Sequence, residues 1–376
     1  MRQALVVGSI VSALLLGSVA VPAQTPATQK KSPYVKLAEP WPPAERLRQL
    51  QTEVERRRLF AGEDPLQLTV TADFKAVTKD RDDNSTKRYP ATIAVAGEGS
   101  TGAPLSVKLG TRGHTRLRRA TCTFVPLRVE FPPDAAGTVF EGQKTLKLVT
   151  HCRDVDDYEQ YVLREYLVYK VFNLLTPRSF RARLAKISYV DTSNGKPLTT
   201  RYGFFLEDDD DVARRNGGRQ VSLPNALFKD LDEESLTLTM LFEYMIANTD
   251  VSIVRLHNIR LIQDPTRALY PVPYDFDYSG LVDTRYAIPA PKLELKTVRD
   301  RLYRGPCRSE AELEPILEKF RARKADIMKL YAALPDLDKG YRRAGAEFLD
   351  EFYTIIERKD RARRALVDGC TKMPGM

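Results

Sequence analysis

Apolar and polar residues alternate strictly in the segment that begins at residue 66. Leu66, Leu68, Val70 and Ala72 are apolar, and polar side chains separate them. A period of two places successive side chains on opposite faces of an extended chain, so the pattern predicts a half-buried β-strand. Similar runs predict further strands at residues 91–96, 105–109, 126–131, 146–149, 182–190 and 201–206.

Elsewhere apolar residues recur every three to four positions, which is the spacing of one helix face. This spacing predicts helices at residues 44–60, 156–175, 235–247, 310–334 and 339–367. Strands therefore dominate the first half of the chain, one helix interrupts them, and helices dominate the second half. The order predicts an α+β protein.

The amino terminus has the composition of a secretory signal peptide. Arg2 supplies a positive charge, an apolar stretch follows at residues 4–21, and the small residues ending at Ala23 match a cleavage site. We expect residues 1–23 to be removed and the polar, proline-rich residues 24–42 to form a linker. An uncleaved membrane anchor is the alternative. No later segment approaches the length of a membrane span, so we expect a secreted or periplasmic protein with no stable membrane span after signal removal.

The charge of the chain indicates which classes of binding partner are favoured. The chain of 376 residues has 59 basic and 50 acidic residues and a formal net charge of +9. This excess favours anionic partners such as nucleotides, phosphorylated ligands or a cell-envelope surface. The sequence has no zinc-finger spacing, RNA-binding aromatic signature or long basic tract, so we expect no nucleic-acid partner.

Four cysteines are consistent with an oxidising compartment, and they permit three pairings. We favour Cys122 with Cys152, because each lies in or beside a strand-like run, and Cys307 with Cys370, because they lie around the C-terminal helices. The cysteines do not have the spacing of zinc sites or of thioredoxin-type redox motifs, so neither chemistry is favoured.

Side chains that suit a metal concentrate between residues 246 and 280. Asp250 follows a predicted helix, Asn258 precedes a strand-like run, and a second run ends at Asp275, shortly before Asp277. Two strands joined by a turn bring Asn258 and Asp275 to the same end of a hairpin. Oxygen ligands there suit a hard divalent cation, and Asp250 is placed to orient or deprotonate a hydroxyl, as phosphoryl transfer requires. The alternative is that these acids cap turns and the amide pairs with the backbone.

The order Asp250, Asn258, Asp275, Asp277 resembles the protein-kinase-like superfamily and, within it, the spore-coat protein H (CotH) kinase family. Parts of the same segment also resemble HipA-type kinases. The resemblance implies a two-lobed protein-kinase-like fold, with an N-terminal helix and sheet-rich N-lobe at residues 43–207 and a helical C-lobe with the metal-binding hairpin at residues 208–376. It implies ATP as the nucleotide, Asp250 as the catalytic residue, and the other three residues as ligands of Mg²⁺ or Mn²⁺. The interval from Asp250 to Asn258 is eight residues, whereas ordinary protein kinases have five.

Four further residues are expected to bind the nucleotide. Lys147 lies mid-strand, opposite in direction to its apolar neighbours, and Glu165 on the next helix is its expected ion-pair partner. Arg112 belongs to an arginine- and glycine-rich turn that resembles one between strands near the front of spore-coat-type kinases. Glu207 ends a strand that resembles the one beside the nucleotide base in that family. A lysine on the wet face of a sheet, and a basic surface turn, are the alternatives for Lys147 and Arg112.

These observations lead to three hypotheses about function. The first is an exported kinase that moves the γ-phosphoryl group of ATP to a hydroxyl of a protein or cell-envelope substrate. The second is a catalytically inactive, kinase-like protein that binds the envelope, motivated by the long interval after Asp250 and by the missing glycine-rich fingerprint. The third is transfer of AMP on the same fold.

Overall fold

The computed structural model describes residues 32, 34–97, 103–193 and 195–372. The predicted signal peptide at residues 1–23 lies outside the described residues, as does much of the predicted linker at residues 24–42. The remainder of that linker contains a short helix, α1 (Val35–Ala38).

Seven strands form a closed barrel within the described residues. They are β1 (Leu66–Ala72), β2 (Tyr89–Ala96), β3 (Leu105–Thr111), β4 (Leu127–Glu130), β5 (Thr145–Val149), β6 (Ala182–Asp191) and β7 (Pro197–Leu206). The order around the barrel is β1-β2-β3-β4-β5-β7-β6. Each neighbouring pair is antiparallel except β1 and β6, whose parallel pairing closes the barrel.

The interior of the barrel explains the alternating pattern of the sequence. In β1 the residues at alternate positions from Leu66 to Ala72 are buried, and those between them are more exposed. Burial of such side chains is the main favourable contribution to folding. The buried barrel cluster includes Leu68, Val70, Ile93, Leu127, Leu148, Ile187, Tyr189 and Phe205.

Helices and a small second sheet make up most of the remaining structure. The helices are α2 (Ala44–Glu55), α3 (Phe74–Lys79), α4 (Asp156–Leu175), α5 (Asp209–Arg215), α6 (Glu233–Met245), α7 (Glu310–Ala333), α8 (Lys339–Ile356) and α9 (Lys359–Ala362). The second sheet contains β8 (Arg219–Val221), β9 (Ile259–Gln263) and β10 (Leu269–Pro273), in the order β10-β9-β8. Helix α4 contacts β7 of the barrel and also α7, so it connects the barrel to the helical part.

The α+β class is confirmed, but the predicted two-lobed protein-kinase-like fold is wrong. Its sheet-rich N-lobe is replaced by a closed barrel, because β6 returns to pair with β1, with Leu66 opposite Ala185. Alternating apolar positions predict that a segment is a strand and which face it buries. They do not predict which distant strand it will pair with, and that pairing decides whether a sheet closes.

The two favoured cysteine pairings are confirmed, because Cys122 is bonded to Cys152 and Cys307 to Cys370. Disulfides of this kind are typical of secreted and extracellular proteins. Within the described ranges, no helix has the length and apolar character needed to span a membrane.

Candidate functional site

The hairpin of β9 and β10 brings Asn258 and Asp275 together, as the sequence predicts. Asn258 immediately precedes β9, and Asp275 is the second residue after β10. The amide of Tyr274 donates to the carbonyl of Asn258 at 3.0 Å. Both residues have left-handed backbone, with φ of 54° at Asn258 and 66° at Asp275. Asn and Asp tolerate this region better than most residues, and such conformations concentrate at functional sites.

Asp250 lies in the loop after α6 and is paired with Asn258. The side-chain amide of Asn258 donates to the Asp250 carbonyl at 2.8 Å and to its Oδ2 at 3.1 Å. His257 Nε2 lies 3.0 Å from Oδ1 of Asp250, and this hydrogen bond raises the pKa of His257. The Asp250 side chain is 40% exposed. Although eight residues separate them in sequence, Asp250 and Asn258 are therefore in contact, and the Asp250 carboxylate is accessible from solvent.

Three carboxyls, which we call the carboxyl cluster (Glu165, Asp275 and Asp277), interact beside this loop. Burial, followed by the neighbouring Asp277 and Asp275, raises the pKa of Glu165 well above its usual value. Burial and then Asp275 raise the pKa of Asp277 to about 7. The hydroxyl of Tyr286 donates to Oδ2 of Asp277 at 3.0 Å. Like charges held close in a buried place favour uptake of protons or binding of a cation.

Two arginines of the basic turn after β3 lie next to the carboxyl cluster. Arg116 donates to the carbonyl of Thr150. Burial alone would lower the pKa of Arg116, but Tyr286 and the carboxyl cluster raise it overall. Arg112 also acts electrostatically on Glu165, yet its buried Nε has no hydrogen-bond partner among the described residues. Arg112 is therefore a cation with unused hydrogen-bonding capacity.

Lys147 is paired with Asp209, not with the expected partner Glu165. Its Nζ lies 2.6 Å from Oδ1 of Asp209 and 4.9 Å from the ring centre of Tyr274. Burial lowers the pKa of Lys147, and Asp209 acts in the opposite direction. Glu165 instead has a buried Oε1 that forms no hydrogen bond with any part of the chain that the structure describes.

Glu207 is enclosed by two arginines. Arg181 donates to Oε1 at 2.7 Å and Arg215 donates to Oε2 at 3.0 Å, and Glu207 is 1% exposed. The amide of Arg181 also donates to Oε2 at 3.0 Å. Both carboxylate oxygens are thus used inside the protein, in a network that joins the end of β7 to α5.

Several residues of this region were not predicted. Tyr169 on α4 accepts a hydrogen bond from the amide of Asp275 at 2.8 Å, and Arg260 on β9 binds Asp209 at 2.6 Å. Tyr169 follows Glu165 by four residues, so the spacing of one helix face was an available signal. The roles of Asp209 and Arg260 had no such signal, because their contact joins segments that are far apart in sequence.

Among the residues that the structure describes, no three His, Cys, Asp or Glu side chains are arranged as a ready metal site. A scan of protein-family models and a search of curated proteins returned no match for this chain. The class of protein is therefore argued from the site itself.

Proposed function

We propose that this chain is an exported phosphotransferase that moves the γ-phosphoryl group of ATP to a hydroxyl of a protein or cell-envelope substrate. The observation that carries the proposal is the grouping of Asp250, Asn258 and the carboxyl cluster around one end of a hairpin, beside Arg112. The proposal keeps the resemblance of these residues to spore-coat protein H kinases. It does not extend that resemblance to the fold.

Asp250 is the residue proposed to act on the acceptor hydroxyl. His257 contacts one carboxylate oxygen and Asn258 donates to the other, so the plane of the carboxylate is fixed. Its partial exposure leaves room for a hydroxyl to approach. An oriented carboxylate accepts the hydroxyl proton or aligns the hydroxyl for attack, and both actions lower the barrier to phosphoryl transfer.

Asn258, Asp275 and Asp277 are the residues proposed to hold Mg²⁺ or Mn²⁺. Their donor atoms are oxygens, and the amide nitrogen of Asn258 is turned to Asp250, which leaves its Oδ1 for a cation. The unpartnered Oε1 of Glu165 is a buried acceptor that a nearby cation would stabilise. When bound, such an ion neutralises charge on the phosphoryl group, and Mg²⁺ commonly takes only one or two protein carboxylates.

The test is phosphoryl transfer by the purified protein, measured with ³²P at the γ-position of ATP in the presence of Mg²⁺ or Mn²⁺. We expect Asp275→Asn, which keeps the shape and tolerates left-handed backbone, to lower transfer by at least about a hundredfold. Asp283→Asn is the matched control, because Asp283 is also left-handed, with φ of 54°, but pairs at 3.4 Å with Arg299. Transfer without a divalent ion, or an unaffected Asp275→Asn variant, contradicts the proposal.

A non-catalytic envelope-binding protein is the second candidate. It is favoured by the pairing of Lys147 with Asp209 and by the enclosure of Glu207 between two arginines, because neither side chain then faces a nucleotide freely. It predicts no rise in melting temperature with ATP, together with retained binding of a polyanion or glycan.

Intact-mass measurement of the acceptor separates phosphoryl transfer from AMP transfer, because the adenylyl adduct is much heavier.

A further inference from the structure

One carboxylate holds two cations that belong to different sheets. Asp209, in the first turn of α5, binds Lys147 Nζ at 2.6 Å through Oδ1 and Arg260 Nε at 2.6 Å through Oδ2. Lys147 belongs to β5 of the barrel and Arg260 to β9 of the second sheet. We call Lys147, Asp209 and Arg260 the charge bridge.

The charge bridge itself has two positive charges and one negative charge. The register of β3, β4 and β5 places Gly110 in line with Lys147, and Arg112 follows Gly110 by two residues, so Arg112 and Lys147 share one face of the barrel wall. Arg260 and Arg112 also lower the pKa of Lys147, after the larger effect of burial. Asp209 is the one carboxylate that the described structure pairs with any of them, and Arg112 forms no ion pair among the described residues. Two cations that share one carboxylate, with a third cation on the same face, favour an additional anion.

The charge bridge is open enough to exchange its anion. The side chains of Lys147, Asp209 and Arg260 are 19%, 26% and 28% exposed. The ring of Tyr274 lies 4.9 Å from Lys147 Nζ and 4.4 Å from the Arg260 guanidinium, and it covers one side of both cations. An anion therefore enters from the exposed side, and the displaced carboxylate can turn to solvent.

We propose that Lys147, Arg260 and Arg112 form a polyphosphate-binding site that Asp209 masks, so that an incoming phosphate group takes the place of the Asp209 carboxylate. A phosphate carries more charge and more acceptor oxygens than a carboxylate, so it can bind Arg112 as well as the two bridge cations. The inference rests on the proposed function in placing phosphates at this site. It adds Arg260 as a binding residue and Asp209 as a built-in competitor.

The test is calorimetric titration of the whole mature protein with inorganic pyrophosphate, with EDTA present to remove divalent ions. Asp209→Asn keeps the side-chain shape and removes the competing charge, so we expect about tenfold tighter binding. Arg260→Gln removes a binding cation, and we expect about tenfold weaker binding. Asp210→Asn is the matched control, because Asp210 is adjacent to Asp209, 46% exposed and paired with Lys36. The Asp210→Asn variant should bind pyrophosphate with the affinity of the unaltered protein.

Equal or weaker binding by Asp209→Asn, or unchanged binding by Arg260→Gln, overturns the inference, as does the absence of binding in every variant. Circular dichroism checks folding, and if Asp209→Asn does not fold, Arg260→Gln and Lys147→Gln decide the question. Parallel titrations with ATP and tripolyphosphate show whether the site takes a nucleotide or any polyphosphate.

Failure of this inference is distinguishable from failure of the proposed function. Pyrophosphate binding in EDTA requires neither a divalent ion nor an acceptor hydroxyl, so it can be measured whether or not the protein transfers a phosphoryl group. If phosphoryl transfer is absent while the affinities follow the expected ranking, the anion site stands and the phosphotransferase proposal falls. If phosphoryl transfer occurs while the affinities do not follow the expected ranking, the phosphotransferase proposal stands and the anion site falls.

Discussion

Single residues around the candidate site adopt backbone conformations that cost free energy. Ala247, Leu256, Asn258 and Asp275 all have positive φ, between 48° and 66°. For Ala and Leu this region costs about 1–2 kcal/mol each, and a protein keeps such strain only where surrounding contacts impose it. Those contacts include the amide of Gly280, which donates to the Ala247 carbonyl at 3.1 Å. These contacts therefore hold the left-handed backbone at this end of the hairpin.

His151 gives the molecule a specific dependence on acid. His151 is 1% exposed, and its ring centre lies 4.4 Å from that of Phe124 in a stacked contact and 5.4 Å from that of Tyr189 in an edge contact. Its buried Nδ1 has no hydrogen-bond partner within the described ranges. Burial lowers the pKa of His151 from 6.5 to about 4. Asp154 opposes this shift, and Arg201 and Arg116 add smaller contributions to it. Between these two values the unfolded chain binds a proton that the folded chain does not. The free energy of unfolding therefore falls as the pH falls from 6.5 towards 4.

We predict that His151→Phe removes this part of the pH dependence, because phenylalanine keeps a planar ring and cannot be protonated. Between pH 8 and pH 4.5 the unaltered protein should lose about 2.5 kcal/mol more stability than the variant. Urea unfolding at pH 8 and at pH 4.5 measures the difference. The control His114→Gln changes a histidine that is 80% exposed and should behave like the unaltered protein. Parallel pH curves for His151→Phe and the unaltered protein contradict the prediction.

At the scale of elements, the loop that carries Asp250 is held by a separate segment. Nη1 of Arg304 donates to the carbonyls of Thr249 at 2.7 Å and Val251 at 2.9 Å, on either side of Asp250. The Asp250 amide also donates to Oδ1 of Asn248 at 3.0 Å. Charge-assisted hydrogen bonds to backbone carbonyls stabilise a loop without regular secondary structure. Arg304 therefore positions Asp250 through the backbone of the loop.

We predict that Arg304→Lys loosens this loop, because the lysine side chain is shorter and its ammonium does not reach the position from which Nη1 of Arg304 binds both carbonyls. Amide hydrogen exchange at residues 249–252 should become about tenfold faster, since one charge-assisted hydrogen bond is lost, and global stability should change less. Arg299→Lys is the control, because Arg299 is 39% exposed and binds Asp283 instead. Unchanged exchange at residues 249–252 in Arg304→Lys contradicts the prediction.

Individual elements were largely predictable, since their local patterns are strong. The spacing at residues 156–175 predicts α4 (Asp156–Leu175) with its observed bounds, and the alternation from residue 66 predicts β1 (Leu66–Ala72). The long C-terminal helix predicted at residues 339–367 is instead divided, because α8 ends at Ile356. Helix ends depend on caps and tertiary contacts as well as on periodicity.

At the scale of the whole molecule, long-range contacts were the part that the sequence did not predict. The hairpin is local, so Asn258 and Asp275 were expected to meet, and they do. Closure of the barrel depends on β1 and β6, and the charge bridge joins Lys147, Asp209 and Arg260 from three separate segments. Such contacts depend on how the whole chain packs, and no local period encodes them.

The two disulfides provide a test of how the barrel supports the anion site. The Cys122–Cys152 disulfide joins the loop after β3, which carries Arg112 and Arg116, to the segment before α4. Arg81 also holds this loop, because it donates to the carbonyls of Leu117 at 3.1 Å and Cys122 at 2.9 Å. Cys307–Cys370 instead joins the segment before α7 to the described C-terminal end, away from Arg112 in sequence and in fold.

We predict that replacing Cys122 and Cys152 by serine lowers the free energy of unfolding by about 3–4 kcal/mol, because the bridge restricts a loop of the unfolded chain. The same change also frees the arginine-rich loop, so pyrophosphate should bind several-fold more weakly to the variant that remains folded. Replacing Cys307 and Cys370 should cost about 4 kcal/mol and leave pyrophosphate affinity unchanged. Urea unfolding and calorimetry on both variants give the comparison. Equal pyrophosphate affinities in the two variants would mean that Arg112 is held in place by the barrel itself and does not depend on the Cys122–Cys152 bridge.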